Sequence, residues 1–240
     1  VFLNQSRNQF FVDPVIRRAL DLAINRDLLV QNVLSGFGVP LLSVLPESIV
    51  KQLEDVDRGT DQALNLLQKN NWQINAQGQL EKQAVVVKTK NKSATTKSPA
   101  SGPVSFTLAT ANIDELKVAA DMLAKDWGKL GIKVEIEVFE PGDLNQEVIR
   151  PRRYDALLFG EVVGRDYDLY PFWHSSQRLD PGLNIAMYVN NKVDKLLEEI
   201  RESNQVKDLG AKYQELANEI DKDQPAIFLY QPDFLYAVQN

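Results

Sequence analysis

The 240-residue sequence predicts an α/β fold, and three observations support this. From Val104 to Phe159, short alternating apolar runs take turns with helical stripes. Their β-α-β-α-β order within one sheet implies parallel strands joined by right-handed crossovers. An apolar content of 44% is enough for the core of one large domain or two small ones. The net charge of −6 argues against a nucleic-acid partner. With no cysteine, disulfides, thiolate metal ligands and cysteine nucleophiles are excluded. No apolar run reaches membrane-spanning length, and Val1-Phe2-Leu3-Asn4 is no signal peptide.

The chain opens on a short strand, Val1 to Asn4. Asp13-Pro14 then starts a helix, with Asp13 as N-cap and Pro14 in the first turn, where its missing N–H costs nothing. Ile16, Ala19, Leu20, Ala23 and Ile24 follow at helical spacing. Asn25 caps a second helix, Arg26 to Ser35, whose buried side carries Leu28, Leu29, Val33 and Leu34 and which ends at Gly36. After a proline-punctuated connector, Thr60 is the expected N-cap of a third helix, with Ala63, Leu64, Leu67 and the stretch to Trp72 on one side. Asn75-Ala76-Gln77-Gly78 reads as a turn. The lysine-rich stretch at about 83–103 lacks an apolar period and reads as an exposed, flexible insertion.

Val104, Phe106 and Leu108 alternate as a strand. Asp114 to Leu130 is an amphipathic helix stopped by Gly131. Ile132, Val134, Ile136 and Val138 alternate with Lys133, Glu135 and Glu137, so that strand shows one face to water or a polar cover. Pro141 to Arg150 is a short helix and Tyr154 to Phe159 a buried strand. Asn191 to Ser203 and Val206 to Lys222 are amphipathic helices, and Pro225 to Tyr230 is a final buried strand, with Phe234 to Val238 continuing past a turn.

Between these elements, Gly160 to Tyr188 concentrates aromatics, turn formers and acids, with the chain's one histidine, His174. A long loop leaving the carboxyl end of a buried strand is where open α/β sheets place a ligand. The alternatives are a binding-cleft wall and a packed surface loop whose aromatics extend the core.

The order of motifs resembles the extracytoplasmic solute-binding proteins of ABC importers, in the group that binds dipeptides, oligopeptides and nickel chelates. The matching pieces are Asp13-Pro14-Val15-Ile16-Arg17-Arg18-Ala19-Leu20 with Ala23-Ile24-Asn25-Arg26, then Ala63 to Leu67 before Trp72, and Leu130-Gly131-Ile132-Lys133-Val134-Glu135. Tyr154-Asp155-Ala156, Phe172-Trp173-His174-Ser175-Ser176 and Tyr188 to Leu197 follow in the same order. The resemblance implies a periplasmic-binding-protein-like lobe, its mixed, mainly parallel sheet flanked by helices. Residues 1–240 would form the single carboxy-terminal lobe of a two-lobed protein. The amino-terminal lobe, with its export signal and any lipid-anchoring cysteine, would be missing. It further implies an extracytoplasmic location, a peptide or peptide-like small solute and an ABC permease as partners, and no enzyme activity or cofactor; no metal ligand is assigned, though the nickel-binding branch leaves metal binding open.

In peptide-binding relatives an aspartate in the post-strand loop pairs with the ligand's α-amino group, and the matching position is Asp166. Asp168 is a rival, because Asp168-Leu169-Tyr170-Pro171 departs from the family's aspartate-proline arrangement. Arg165 could also neutralise Asp166. Tyr167, Tyr170, Phe172 and Trp173 would offer aromatic surface, and Asn184 would either face the cleft or close a turn. Two other classes stay open. One is an α/β hydrolytic enzyme built on His174 with Ser175 or Ser176, or on Asp166 and Asp168; the other is a non-transport sensor or scaffold. His174 reads as a packing residue more readily than as a metal ligand.

Overall fold

Residues 1–51, 57–83, 85–89, 92–96, 102–164, 166–202 and 206–236 are described in a computed structural model of the chain. In chain order the elements begin with β1 (Phe2–Leu3), α1 (Pro14–Leu22), α2 (Arg26–Val33), β2 (Gly38–Pro40) and α3 (Thr60–Lys69). The hairpin strands β3 (Trp72–Ile74) and β4 (Leu80–Lys82) follow, then β5 (Val85–Thr89) and β6 (Lys92–Thr96). The central unit is β7 (Ser105–Ala111), α4 (Asp114–Gly128), β8 (Lys133–Phe139), α5 (Pro141–Asp143), a π-helical turn over Leu144–Ile149, and β9 (Ala156–Leu158). The chain continues through α6 (Tyr170–Trp173), α7 (Asn191–Glu202), α8 (Val206–Asp223) and β10 (Tyr230–Pro232).

The parallel strands form where the sequence alternates. β7 pairs in parallel with β8 on one side and with β9 on the other, and β1 closes the sheet antiparallel to β9, giving the order β1-β9-β7-β8. Period-two alternation then splits the core between the two faces. Leu3, Phe106, Leu108, Ala156 and Leu158 pack with α1, α3 and α4 residues such as Ile16, Leu67 and Trp127. Phe2, Ala109, Ala111 and Leu157 pack on the other face with Trp173, Leu196, Leu216 and Ile220. β8 is an edge strand with Lys133, Glu135 and Glu137 exposed, which matches its alternating pattern. Gly131 ends the turn after α4 at φ +76. A Cβ there would meet the Leu80 nitrogen at 2.8 Å, so glycine also lets the β3–β4 hairpin pass close by.

Several expectations change. α3 starts after Gly59, and Thr60 is its first residue, not its side-chain cap. Trp72 does not extend α3 but opens β3, fully buried, with its indole N–H on Asp13. In α2 the inward positions are Leu29 and Val30, while Leu28 is half exposed. The lysine-rich stretch contains the antiparallel pair β5–β6, from Val85 opposite Thr96 to Thr89 opposite Lys92, with β-branched residues in both strands. Ala226, Ile227 and Leu229 are buried as expected, but only a single bridge, Ala226 with Phe2, is strand-like before β10 begins at Tyr230. Phe234, Leu235 and Tyr236 continue as exposed coil.

Candidate functional site

Because β9, β7 and β8 are parallel neighbours, their carboxyl ends share one edge of the sheet. Asn112, Glu140 and the segment from Phe159 onward emerge there. Asn112 donates to Glu140 Oε1 at 2.7 Å and accepts from Lys117 Nζ at 2.9 Å, linking the ends of β7 and β8. Ile113, Val138, Phe159 and Val162 are left exposed by these chain exits, Val162 most of all. Glu161 lies between Phe159 and Val162, and enclosure of its carboxyl raises it to about 8 against the pull of the Val1 ammonium. The sequence gave no signal of this, because the enclosure exists only in the fold.

The aromatic loop leaves this edge, and the structure divides its candidate residues into three groups. Asp166, exposed, and Tyr167, half-buried against the core, form the turn. Tyr167 N–H donates to Gly164 O at 3.0 Å, and Tyr167 sits at φ +50, a left-handed conformation uncommon for a bulky residue. The Asp166 carboxylate is exposed and lies against Gly164, where an added Cβ would be 2.6 Å from Oδ1. Among the described residues no side chain hydrogen-bonds to it. Arg165, the expected neutralising neighbour, lies outside the described residues.

Asp168 and Tyr170 are committed to α7. Arg201 donates from Nε to both Asp168 oxygens, at 3.0 and 3.1 Å, and from its terminal nitrogen to Oδ2. These bonds hold the Asp168 carboxyl below the usual range. The Arg201 guanidinium also lies 4.1 Å from the centre of the Tyr170 ring, which stacks on His174 at 4.1 Å. His174 is buried. Its Nδ1 receives the Ser176 N–H at 3.1 Å, and its Nε2 has no hydrogen-bond partner among the described residues, with Glu198 Oε1 3.4 Å away.

Phe172, Trp173 and Asn184 form the third group, the support of the loop. Phe172 is half-buried against the core. Trp173 is 1% exposed and packs against Phe2, Tyr188 and Phe228, so it anchors the loop and offers no open surface. Asn184 is fully buried; its amide donates to the carbonyls of Trp173, His174 and Tyr188 and its oxygen accepts the Tyr188 N–H. Of its two readings, closing a turn is the one this geometry gives. Tyr213 and Arg201, which hold the loop from α8 and α7, went unnoticed in the sequence because each sits on an ordinary amphipathic helix far along the chain.

Among the described residues, the candidates do not line the concavities that stand out in the fold. A concavity of about 730 Å³ lies elsewhere, lined by Asn25, Asp27, Arg58 and Thr60 and by Asp126 and Lys129 at the far end of α4. α4 runs away from the carboxyl edge of the sheet, so this concavity and the aromatic loop sit at opposite ends of it. No described helix is long and apolar enough to cross a membrane.

Comparison with known proteins gives a consistent result. The family model of bacterial extracellular solute-binding proteins, family 5 (middle region), matches residues 1–190. The oligopeptide-binding protein AppA of Bacillus subtilis is 28% identical over 236 residues, which is 95% of this chain and 40% of that protein. Protein XP55 of Streptomyces lividans is 30% identical over 241 residues, 98% of this chain and 40% of that protein. The chain thus spans less than half the length of the relatives it matches. The solved structure of AppA in complex with a nonapeptide superimposes with a TM-score of 0.78 at 27% identity, covering 96% of this chain and 44% of that one. A nickel ABC transporter structure from Bacillus halodurans, at 20% identity, reproduces the fold with a TM-score of 0.75 over 96% of this chain and 45% of that one. A periplasmic-binding-protein-like α/β body, with a family match over most of its length, places this chain among the bacterial extracellular solute-binding proteins of family 5.

Proposed function

We propose that the protein carrying this chain is the substrate-binding component of an ABC importer, which captures a peptide-like solute between this lobe and a second one and passes it to a membrane permease outside the cytoplasm. The observation that carries the reading is Asp166: an exposed carboxylate, unpaired among the described residues, at the carboxyl edge of a parallel sheet. A carboxylate in a cleft that closes over it gives a charge-assisted bond to an α-ammonium group, which an apolar or capped amine cannot match. Tyr167 beside it and the half-buried Phe172 add aromatic surface for variable side chains. Asp168, neutralised by Arg201, is the weaker rival. The similarity to AppA, an oligopeptide-binding protein solved with a nonapeptide, favours peptides as the solute class.

The histidine-based hydrolytic reading would need His174 as base, and the Ser176 hydroxyl does lie 2.8 Å from its Nδ1, yet the ring is buried under Tyr170 and Nδ1 also receives the Ser176 backbone N–H. Calorimetric titration of the full-length protein with a pool of di- to penta-peptides tests the transport reading. Asp166→Ala should weaken a free-amine peptide about tenfold or more while leaving its N-acetylated form nearly unchanged. Equal losses for both would remove Asp166 from the role, and turnover of peptide without binding heat would favour an enzyme.

A further inference from the structure

Asp166 can discriminate an ammonium only if the turn that carries it is held, and beside its own Tyr167 N–H to Gly164 bond the turn is held by a residue more than forty positions away. The Tyr213 hydroxyl, reaching from α8, lies 3.2 Å from the Asp166 carbonyl and 3.4 Å from the Tyr167 carbonyl. One donor thus bridges two successive carbonyls at the left-handed turn of Tyr167. A bulky non-glycine residue at positive φ is strained and persists only where its surroundings hold it. The Tyr213 ring packs against the core face shared with Trp173 and Leu216, so its hydroxyl is a fixed point. On the next residues, Arg201 holds Asp168 and the Tyr170 N–H donates to Asp168 Oδ1 at 3.2 Å. The backbone of the turn is tied to α8 and the Asp168 side chain just after it to α7, while the Asp166 carboxylate is bound by no described side chain.

We propose that Tyr213 is a positioning residue of the solute site, one that never touches the solute but fixes the backbone presenting Asp166 to a solute ammonium. This rests on the transport reading above. Tyr213 acts by removing reorganisation: a carboxylate already in place loses less freedom on binding than one carried by a mobile turn. Burial, with the nearby charges of Asp166 and then Asp168, raises the ionisation of the Tyr213 phenol, as expected of a hydroxyl lodged beside this turn.

Tyr213→Phe deletes the hydroxyl and keeps the ring, so folding is not at stake. In the full-length protein, the ratio of affinities for a free-amine pentapeptide over its N-acetylated form should fall about fivefold in Tyr213→Phe, the size of one ordinary hydrogen bond. The same substitution made in an Asp166→Asn background should leave that ratio unchanged, because the group being positioned is gone. A structural role alone would weaken both peptides equally and add to Asp166→Asn. Without any solute, ¹³Cζ-tyrosine spectra should show the Tyr213 ionisation moving down in Asp166→Asn. An unchanged ratio in Tyr213→Phe with wild-type binding intact, or an immobile Tyr213 titration, overturns the proposal. Absence of peptide binding by the wild type overturns the transport reading itself, and with it any role for Tyr213 in it.

Discussion

Asp221 shows how a single buried side chain can set the pH dependence of this protein. It lies on α8, 8% exposed, beside the buried Ser43 hydroxyl, and burial pushes its carboxyl up to about 7; the Asp21 charge adds to the rise, while Arg18 and Arg58 oppose it. A folded pKa above the unfolded value means that the folded chain keeps a proton the unfolded chain releases. Stability therefore falls as pH rises from about 4 to about 7 and carries the full penalty above that. Asp221→Asn should raise stability at pH 8 by roughly 2–4 kcal/mol and change little at pH 4, read from guanidinium midpoints at constant slope. A gain of equal size at both pH values would show that the carboxyl is not the cause. The sequence made local side-chain roles legible: Asp13 caps α1 through the Val15 N–H at 2.9 Å, as its place before Pro14 announced. It could not show Asp21, whose partners Arg26, Arg58 and Gln224 come from three separate parts of the chain.

Among the elements, α1 is joined to α8 by one guanidinium. Arg17 donates to the carbonyls of Phe11 at 2.6 Å, Val12 at 3.1 Å and Asp223 at 2.8 and 3.1 Å, and is itself 7% exposed. Removing it leaves enclosed carbonyls without donors, so Arg17→Ala should cost about 2–4 kcal/mol in equilibrium unfolding. Arg17→Lys should recover only part, because an ammonium lacks the planar fork that reaches carbonyls on two sides. Full recovery by lysine would assign the effect to charge alone. Most helices were legible because a 3.6-residue apolar stripe is a local signal, and α4, α7 and α8 fall within two residues of their expected spans. The segment 225–229 was legible in part: its apolar residues are buried and it lies antiparallel beside β1, with Ile227 bonded to Val1 in both directions and the Pro225 carbonyl accepting from Leu3 N–H, but the Phe228 and Leu229 carbonyls turn to Arg26 and to Leu41 N–H. A run of apolar residues reports burial and leaves the identity of the hydrogen-bond partner open.

At the scale of the whole molecule, the question is how much of the solute site this lobe can supply. Its carboxyl edge carries an exposed acid, exposed apolar side chains at the ends of three parallel strands, and a turn held from α8 beside an Asp168 held from α7, and among the described residues these form one wall. A site that covers only one side of a solute loses much of the apolar burial and most of the strengthening that exclusion of water gives to a charge pair. Under the proposed function this wall would be one jaw of a two-lobed protein, an expectation that rests on motif order and not on any site geometry. The polypeptide 1–240 should accordingly bind a free-amine pentapeptide at least about a hundredfold more weakly than the full-length protein, and the difference should lie mainly in dissociation rate. Small-angle scattering should also show the full-length protein contracting on addition of that peptide, as hinge closure requires, while the 1–240 polypeptide keeps its dimensions. Equal affinities for the two forms would mean that the acid and aromatics of this lobe make the complete site, and that capture needs no second surface.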